Sequence, residues 1–447
     1  MNKYILLAIF FLSNAFSVQA QEIIDLNKAI TTAINNNTNV SNLEKTLEIQ
    51  KLSTKSAKGN LIPSLDLSAR WSRNNTYSQG SVRFEGGTPI AVPEQNSWIN
   101  GFGLGLSTQV TLFNGFSNLK QIDLSKENET AARINLDKTK YDIIFNVTSA
   151  YFDLLKKEKI VLVNQDNLKD SQSQLDKIKE YMNVGKKTLA DVYKQDVLVA
   201  QNELALERSI NDFNKSKVDL LLAMNDDMNK DFTISENSVD INLTSSDIQN
   251  IVERNSNTEA LLNRALDKRF DYKSTLQDIK INKVQISIDQ KNLYFPTLSA
   301  FSNYNLSSSR IEDLTGLRTF QFGFQLTYPI FQGFKLDNKR QTSELTLRQK
   351  QDDLDQLQQQ IRSEIKKSYL DLQTAKKQIE ILNRNLVSAE QDKLLSEENY
   401  RVGVGTLLDV QLASTKLNSL KIDRINAYYD FLLAERKLNY YTGELSY

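Results

Sequence analysis

The sequence contains itself twice. "LFNGF" at 112–116 returns as "IFQGF" at 330–334, an offset of 218 (330 − 112). "YFDLL" from Tyr151 returns as "YLDLQ" from Tyr369, and "VGKKTLADV" from Val184 as "VGVGTLLDV" from Val402, both at the same offset. A repeat held in register this long is two copies of one structural unit, so any fold must accommodate the unit twice. Pro63 and Pro296, which precede the first strands of each copy, are 233 apart (296 − 63). The first copy therefore carries about 15 extra residues, and they fall between Arg73 and Ser97. Insertions of this kind belong in exposed loops.

Helix breakers are gathered into two islands. All five prolines and most of the glycines fall in windows of roughly 59–115 and 296–333. Outside them, nothing interrupts a helix from about Leu119 to Met182 or from about Lys335 to Arg401. At 1.5 Å per residue each such helix would run about 100 Å. Leu372, Ala375, Ile379, Leu382, Leu386 and Ala389 alternate spacings of three and four, a heptad seam of the coiled-coil kind.

Within the islands the pattern changes to period two. Leu65, Leu67, Ala69 and Trp71 alternate with Asp66, Ser68 and Arg70. Phe102, Leu104, Leu106, Val110 and Leu112 alternate with Gly103, Gly105, Ser107, Gln109 and Thr111. Phe320, Phe322, Phe324, Leu326 and Tyr328 alternate with Gln321, Gly323, Gln325 and Thr327. Four strands are expected, near 64–72, 101–113, 298–306 and 318–330. Each is about ten residues long, enough to cross a bilayer at a tilt. The aromatic and aliphatic side chains would face lipid, and the small polar ones water.

Composition excludes several chemistries. There is no cysteine and no histidine. That removes disulfides, thiol nucleophiles, thiolate or imidazole metal sites and the Ser-His-Asp triad. The adjacent carboxylates Asp352-Asp353 and Glu397-Glu398 point about 100° apart on a helix and form no acid pair. No enzyme, cofactor or metal site is expected. The formal net charge is zero, which gives no general attraction to nucleic acid. The first 20 residues, with Lys3, an apolar Ile5–Leu12 run and Val18-Gln19-Ala20, read as a secretory signal peptide.

Four strands cannot close a barrel, and an open edge in hydrocarbon leaves backbone groups unsatisfied at several kcal/mol each. A chain with four lipid-facing strands must pair its edges with other copies. Three copies would give twelve strands around a water-filled pore.

The motifs resemble the TolC family of outer-membrane efflux and secretion channels. They are the "LxxAI…AI…NN" start at Leu26–Asn37, "NLIPSL" and "NLYFPTL" before the strands, "LFNGF/IFQGF" after them, "AYFDLL/SYLDLQ" in the helices and the paired "VGxxTLxDV" turns. The resemblance spans nearly the whole chain beyond residue 20. It implies a mostly α fold with a small β part: four transmembrane strands per chain in a shared trimeric barrel, and long helices in a periplasmic α-barrel. The implied divisions are a first repeat at 21–225 with a helical hairpin at 119–225, and an irregular linker at 226–250. A second repeat follows at 251–443 with a hairpin at 335–442, then a stub at 444–447.

The implied partners are two further copies, outer-membrane lipid, a periplasmic adaptor and, through it, an inner-membrane transporter of RND, ABC or MFS type. The implied location is the outer membrane of a Gram-negative cell. In the turns, Gly185 and Gly403 suit left-handed helix ends, and Thr188 with Asp191 and Thr406 with Asp409 suit capping boxes. The resemblance makes Val184, Gly185, Thr188, Val402, Gly403 and Thr406 adaptor-docking tips. It makes Asp409, Asp191 and Tyr400 aperture residues, with the aspartates as an anionic ring. The family's locking basic position is Gly405 here and its second acidic position is Leu412, which departs from an Arg–Asp–Tyr lock and leaves Arg401, Lys186 and Lys187 as candidate substitutes. Cargo is not legible. The reading from another class is an exported coiled-coil protein that tethers envelope layers, its hairpins packed as soluble sheets.

Overall fold

In a computed structural model, which describes residues 22–235 and 243–445, the elements run in chain order from β1 (Glu22–Ile24), α1 (Leu26–Asn36) and α2 (Thr38–Gly59) to β2 (Ser64–Ser78), β3 (Ser81–Glu85), β4 (Thr88–Val92) and β5 (Gln95–Phe113). Next come α3 (Ser117–Asn183), α4 (Leu189–Met224), β6 (Phe232–Ile234), α5 (Ser245–Arg254), α6 (Thr258–Lys268) and α7 (Phe270–Tyr294). The last are β7 (Thr297–Ser308), β8 (Leu317–Thr327), α8 (Lys335–Val402) and α9 (Leu407–Tyr441). The expected signal peptide lies outside the described residues. The chain divides into two compact units. One holds the residues up to Asn42, Leu136–Lys273 and the chain from Leu357 onward; the other holds Leu43–Asn135 and Ser274–Gln356.

The second unit is built on an antiparallel sheet ordered β2-β5-β7-β8. Residues directly opposite in an antiparallel ladder share a face, so the register sorts the side chains. One row crosses all four strands as Leu67, Leu106, Tyr304 and Phe320. The neighbouring row on the other face is Asp66, Ser107, Asn303 and Gln321. Trp71, Phe102, Leu104, Phe322, Phe324 and Leu326 all fall on the first face. Phe301 is an aromatic exception on the polar face. Its ring lies against the Gly323 backbone, where a Cβ would sit 3.1 Å from the ring.

Two strand expectations need correction. β2 and β5 pair well past Ser72, out to Ser78 opposite Gln95, and β3 and β4 continue the hairpin beyond them. The stretch expected as a loop is therefore mostly ladder: Asn, Thr, Ser and Tyr tolerate a two-sided polar strand that carries no hydrophobic alternation. The pairing of β5 with β7 also shifts between Thr111 and Phe113, so Phe113, not Leu112, stands opposite Leu298. A bulge puts two residues against one and re-aims the strand end.

The duplicated "FNGF/FQGF" exits are tight left-handed turns. Gly115 and Phe116 both have φ of 64°, while Gly333 and Phe334 have 58° and 61°. Ser117 N–H closes the first turn onto the Asn114 carbonyl at 3.1 Å, and Lys335 N–H closes the second onto Gln332 at 3.2 Å. Two consecutive left-handed residues with this bond make a type I′ turn. Phenylalanine is strained in this conformation. Edge-on packing of Phe116 on Phe113 and of Phe334 on Phe331, each with ring centres 5.4 Å apart, offsets the cost in both copies.

The first unit is helical. Leu372, Ala375, Ile379, Leu386 and Ala389 of the heptad seam are buried, and Leu382 is half-buried. The upper seam packs with Phe431, Leu438 and Leu261, the lower with Leu417 and Leu420. Glu22–Ile24 pairs in parallel with Phe232–Ile234. The buried Tyr151 hydroxyl donates to the carbonyls of Ile24 and Ser235 at 3.1 and 2.5 Å. The segment expected as an irregular linker to residue 250 becomes helical at Ser245, because Thr244 and Asp247 make a capping box. The C-terminal stub is tied down as well. Glu444 pairs with Arg264 at 3.0 Å and Lys268 at 2.9 Å, and Leu445 N–H donates to the Tyr141 hydroxyl at 3.0 Å.

Candidate functional site: the paired hairpin tips

Each tip begins with a helix end that only glycine enters without strain. Gly185 has φ of 74° and Gly403 of 86°. Gly185 N–H donates to Met182 at 2.9 Å and Lys186 N–H to Tyr181 at 2.8 Å. In the second copy Gly403 N–H donates to Tyr400 at 3.3 Å and Val404 N–H to Asn399 at 2.9 Å. Both are Schellman motifs, which satisfy the last carbonyls of α3 and α8. The returning helices start at matching caps. Asp191 N–H donates to Thr188 Oγ1 at 3.2 Å, and Thr188 N–H to Asp191 Oδ2 at 3.2 Å. Thr406 and Asp409 repeat the exchange at 3.2 and 2.9 Å.

Both aspartates therefore point back at their own caps. The hydroxyl and backbone N–H of Thr406 hold the Asp409 carboxyl below the usual carboxylate range. Outward, the tips expose hydrophobic side chains: Val184, Leu189, Val402, Val404, Leu408 and Leu412. Leu189, Val404 and Leu408 were not singled out in the sequence. Of these, only Leu189 stands at a repeated apolar position of "TLxDV"; Val404 and Leu408 replace Lys186 and Ala190 of the first copy and have no counterpart to signal them.

Tyr400 lies inward, 5% exposed, among Leu175, Ile178, Val192, Leu407 and Val410. Its hydroxyl is buried with no hydrogen-bond partner among the described residues. Burial, with the Asp191 charge nearby, pushes it up to about 12. Lys187, from the first tip, reaches across to it. Its Nζ donates to the Tyr400 carbonyl at 2.8 Å and sits 3.4 Å from the ring centre. Of the three candidate substitute cations, Arg401 is held by Glu398 on its own helix. At Gly405 a Cβ would meet Asn399 Cβ at 3.0 Å, so any larger residue in this turn requires Asn399 to shift by a few tenths of an ångström.

The sheet places its expected residues on one open face. Trp71, Leu106, Phe320, Phe322, Phe324 and Leu326 are exposed on it and Phe102 and Leu104 half-exposed, while Tyr328, also exposed, lies one residue past the end of β8, short of the strand expected to run to 330. Phe322 is 73% exposed, which water does not tolerate along a whole row of such residues. No group of acidic residues suited to a metal ion occurs among the described residues, and no helix there is long and apolar enough to cross a membrane.

A four-stranded sheet with one continuous apolar face, joined to long duplicated helical hairpins, is the fold of outer-membrane channel proteins. The structure aligns with that of CusC at a TM-score of 0.75 and 15% identity, covering 94% of this chain and 92% of that one. It aligns with the Campylobacter jejuni CmeC outer membrane channel at 0.73 and 17%, covering 94% and 85%, and with VceC of Vibrio cholerae at 0.72 and 18%, covering 94% and 96%.

A family model for outer membrane efflux proteins matches residues 29–226 and 261–444, so the chain belongs to that family. Among curated relatives it is 20% identical to outer membrane protein TolC of Salmonella enteritidis, over 77% of this chain and 74% of that one. It is 21% identical to outer membrane efflux protein BepC of Brucella suis, over 77% and 72%. Family and fold make the chain a channel protein rather than an enzyme.

Proposed function

We propose that three copies of this chain close one twelve-stranded barrel in the outer membrane and form a passive exit duct. The observation that carries this reading is the sheet itself. Its outer strands, β2 and β8, each have one partner within the chain, and its apolar face has no cover. Joining β2 of one copy to β8 of the next satisfies both edges and leaves no open edge in lipid. The polar face, with Gly103, Gly105, Gln321 and Gln325, then lines water.

In this assembly the exposed apolar tips, with Gly185, Thr188, Gly403 and Thr406 shaping the turns, dock a periplasmic adaptor. The adaptor couples the duct to an inner-membrane transporter of RND, ABC or MFS type. Asp409 and Asp191 would ring the periplasmic aperture, each also serving its cap. Energy comes from the transporter, so no cofactor is required. An exported tether with soluble hairpins fares worse, because among the described residues nothing covers the apolar face that carries Trp71 and Phe324.

Purified protein reconstituted in a planar bilayer tests the proposal. Discrete, long-lived conductance steps are expected, blocked from the periplasmic side by multivalent cations. A bilayer that stays silent with correctly folded protein overturns it.

A further inference from the structure

The first repeat has an outer hairpin that the second lacks, and in it the face that is polar at the base becomes apolar while the other becomes mixed. Ser78 pairs with Gln95 and Ser81 with Val92, so two residues are passed over on each strand and the register continues unshifted. The break falls at Gly80 and Pro93. Proline has no N–H to give a ladder, and a Cβ on Gly80 would meet the Glu94 nitrogen at 3.2 Å and the Val92 carbonyl at 3.3 Å. Because the register holds, the two faces can be followed outward. The face that carries Leu65, Leu67 and Trp71 at the base carries Arg83 and Glu85, an ion pair at 3.8 Å, with Ser81 and Thr88 beside Ile90 and Val92 at the tip. The face that carries Asp66, Ser68 and Arg70 at the base carries Val82, Phe84, Pro89 and Ala91 at the tip. Phe84 is 71% exposed and Val82 59%.

An isolated two-stranded hairpin with a bare apolar face is marginal in water. Here that face continues the side that lines the pore. We propose that the outer hairpins of the three copies bend at Gly80 and Pro93 over the pore mouth and pack Val82, Phe84, Pro89 and Ala91 against one another as an apolar collar. This rests on the three-copy duct proposed above. The reach suffices. Twelve strands about 4.8 Å apart and tilted by about 40° give a barrel radius of about 12 Å. The six residue-to-residue steps from Gly80 to Gly86 span about 20 Å. An apolar constriction of this kind excludes water and ions until it is pushed open.

The chain has no cysteine, so a single introduced thiol reports cleanly. Phe84→Cys and Arg83→Cys differ by one residue and face opposite ways. In full-length protein in the outer membrane, mild oxidation should convert about two thirds of the Phe84→Cys chains to disulfide-linked pairs, since a threefold cluster of thiols leaves one over. Arg83→Cys should stay single. Equal cross-linking of both variants, or none in Phe84→Cys, overturns the collar. So does quenching of a probe on Phe84→Cys by a lipid-phase quencher, which would assign the face to the membrane instead. Native mass of the unmodified protein separates the two readings. Anything other than three copies removes the duct and the collar together, whereas three copies without Phe84→Cys cross-links remove the collar alone.

Discussion

Lys187 Nζ lies 2.8 Å from the Tyr400 carbonyl oxygen and 3.4 Å from the centre of the Tyr400 ring, joining the tip of the first helical hairpin to the tip of the second. One cation caps the end of α8 and covers an aromatic face. Lys187→Ala should loosen the second tip by about 1–2 kcal/mol. Amide exchange at Val404 and Gly405 should accelerate roughly 5- to 30-fold, while the α8 interior is unchanged. Exchange that is equal in both proteins would show that the bridge holds nothing.

Tyr400 separates ring from hydroxyl. The hydroxyl has no partner among the described residues, so Tyr400→Phe should leave thermal stability unchanged or raise it slightly. Tyr400→Ala leaves a cavity in the Leu175–Val410 cluster and should cost about 3–5 kcal/mol. Thermal unfolding of both variants checks this. A Tyr400→Phe protein clearly less stable than the parent would mean that the hydroxyl has a partner in the assembled protein.

Asp409 carries the pH dependence of the second tip. Its folded carboxyl titrates below the ordinary value because Thr406 donates to the charged form. A lowered folded value contributes stability above the unfolded carboxylate range, about pH 4, and that stability is lost as pH falls through the folded value. Exchange at the Thr406 amide should therefore quicken below about pH 4 in the parent. It should not do so in Asp409→Asn, which can accept the same bond without titrating. If the proposed anionic ring exists, Asp409→Ala also weakens block by multivalent cations.

Much of this was readable beforehand, and the reason lies in the kind of residue. The heptad seam from Leu372 to Ala389 and the alternation at Phe320–Leu326 are hydrophobic periodicities, which report directly on burial and on faces. The capping pairs and tip glycines are local backbone requirements, so they too are written in short sequence. What the sequence hid depends on partners distant along the chain. Lys187 gives no local sign that it will meet Tyr400, and the Leu112 bulge appears only once β7 sets the register. The length of β2 beyond Ser72 gave little sign because Arg73–Ser78 is almost wholly polar, so period two carries no signal there, and β3 and β4 are only five residues each.

The sheet faces make an opposed prediction for neighbouring residues. Phe324→Lys places a charge on the apolar face and should cost about 2–4 kcal/mol near the bilayer midplane, with loss of outer-membrane assembly. Gln325→Lys lies on the other face, should assemble normally, and should shift ion selectivity toward anions. The yield of membrane-inserted protein, followed by reversal potentials in a salt gradient, distinguishes them.

In the proposed assembly the chain completes its barrel only with other copies. The most direct measurement is the native mass of the protein extracted in mild detergent from outer membranes, before and after heating. The expected result is three chains that fall to one on heating, recovered from the outer-membrane fraction. A single chain recovered from the soluble periplasmic fraction would contradict it.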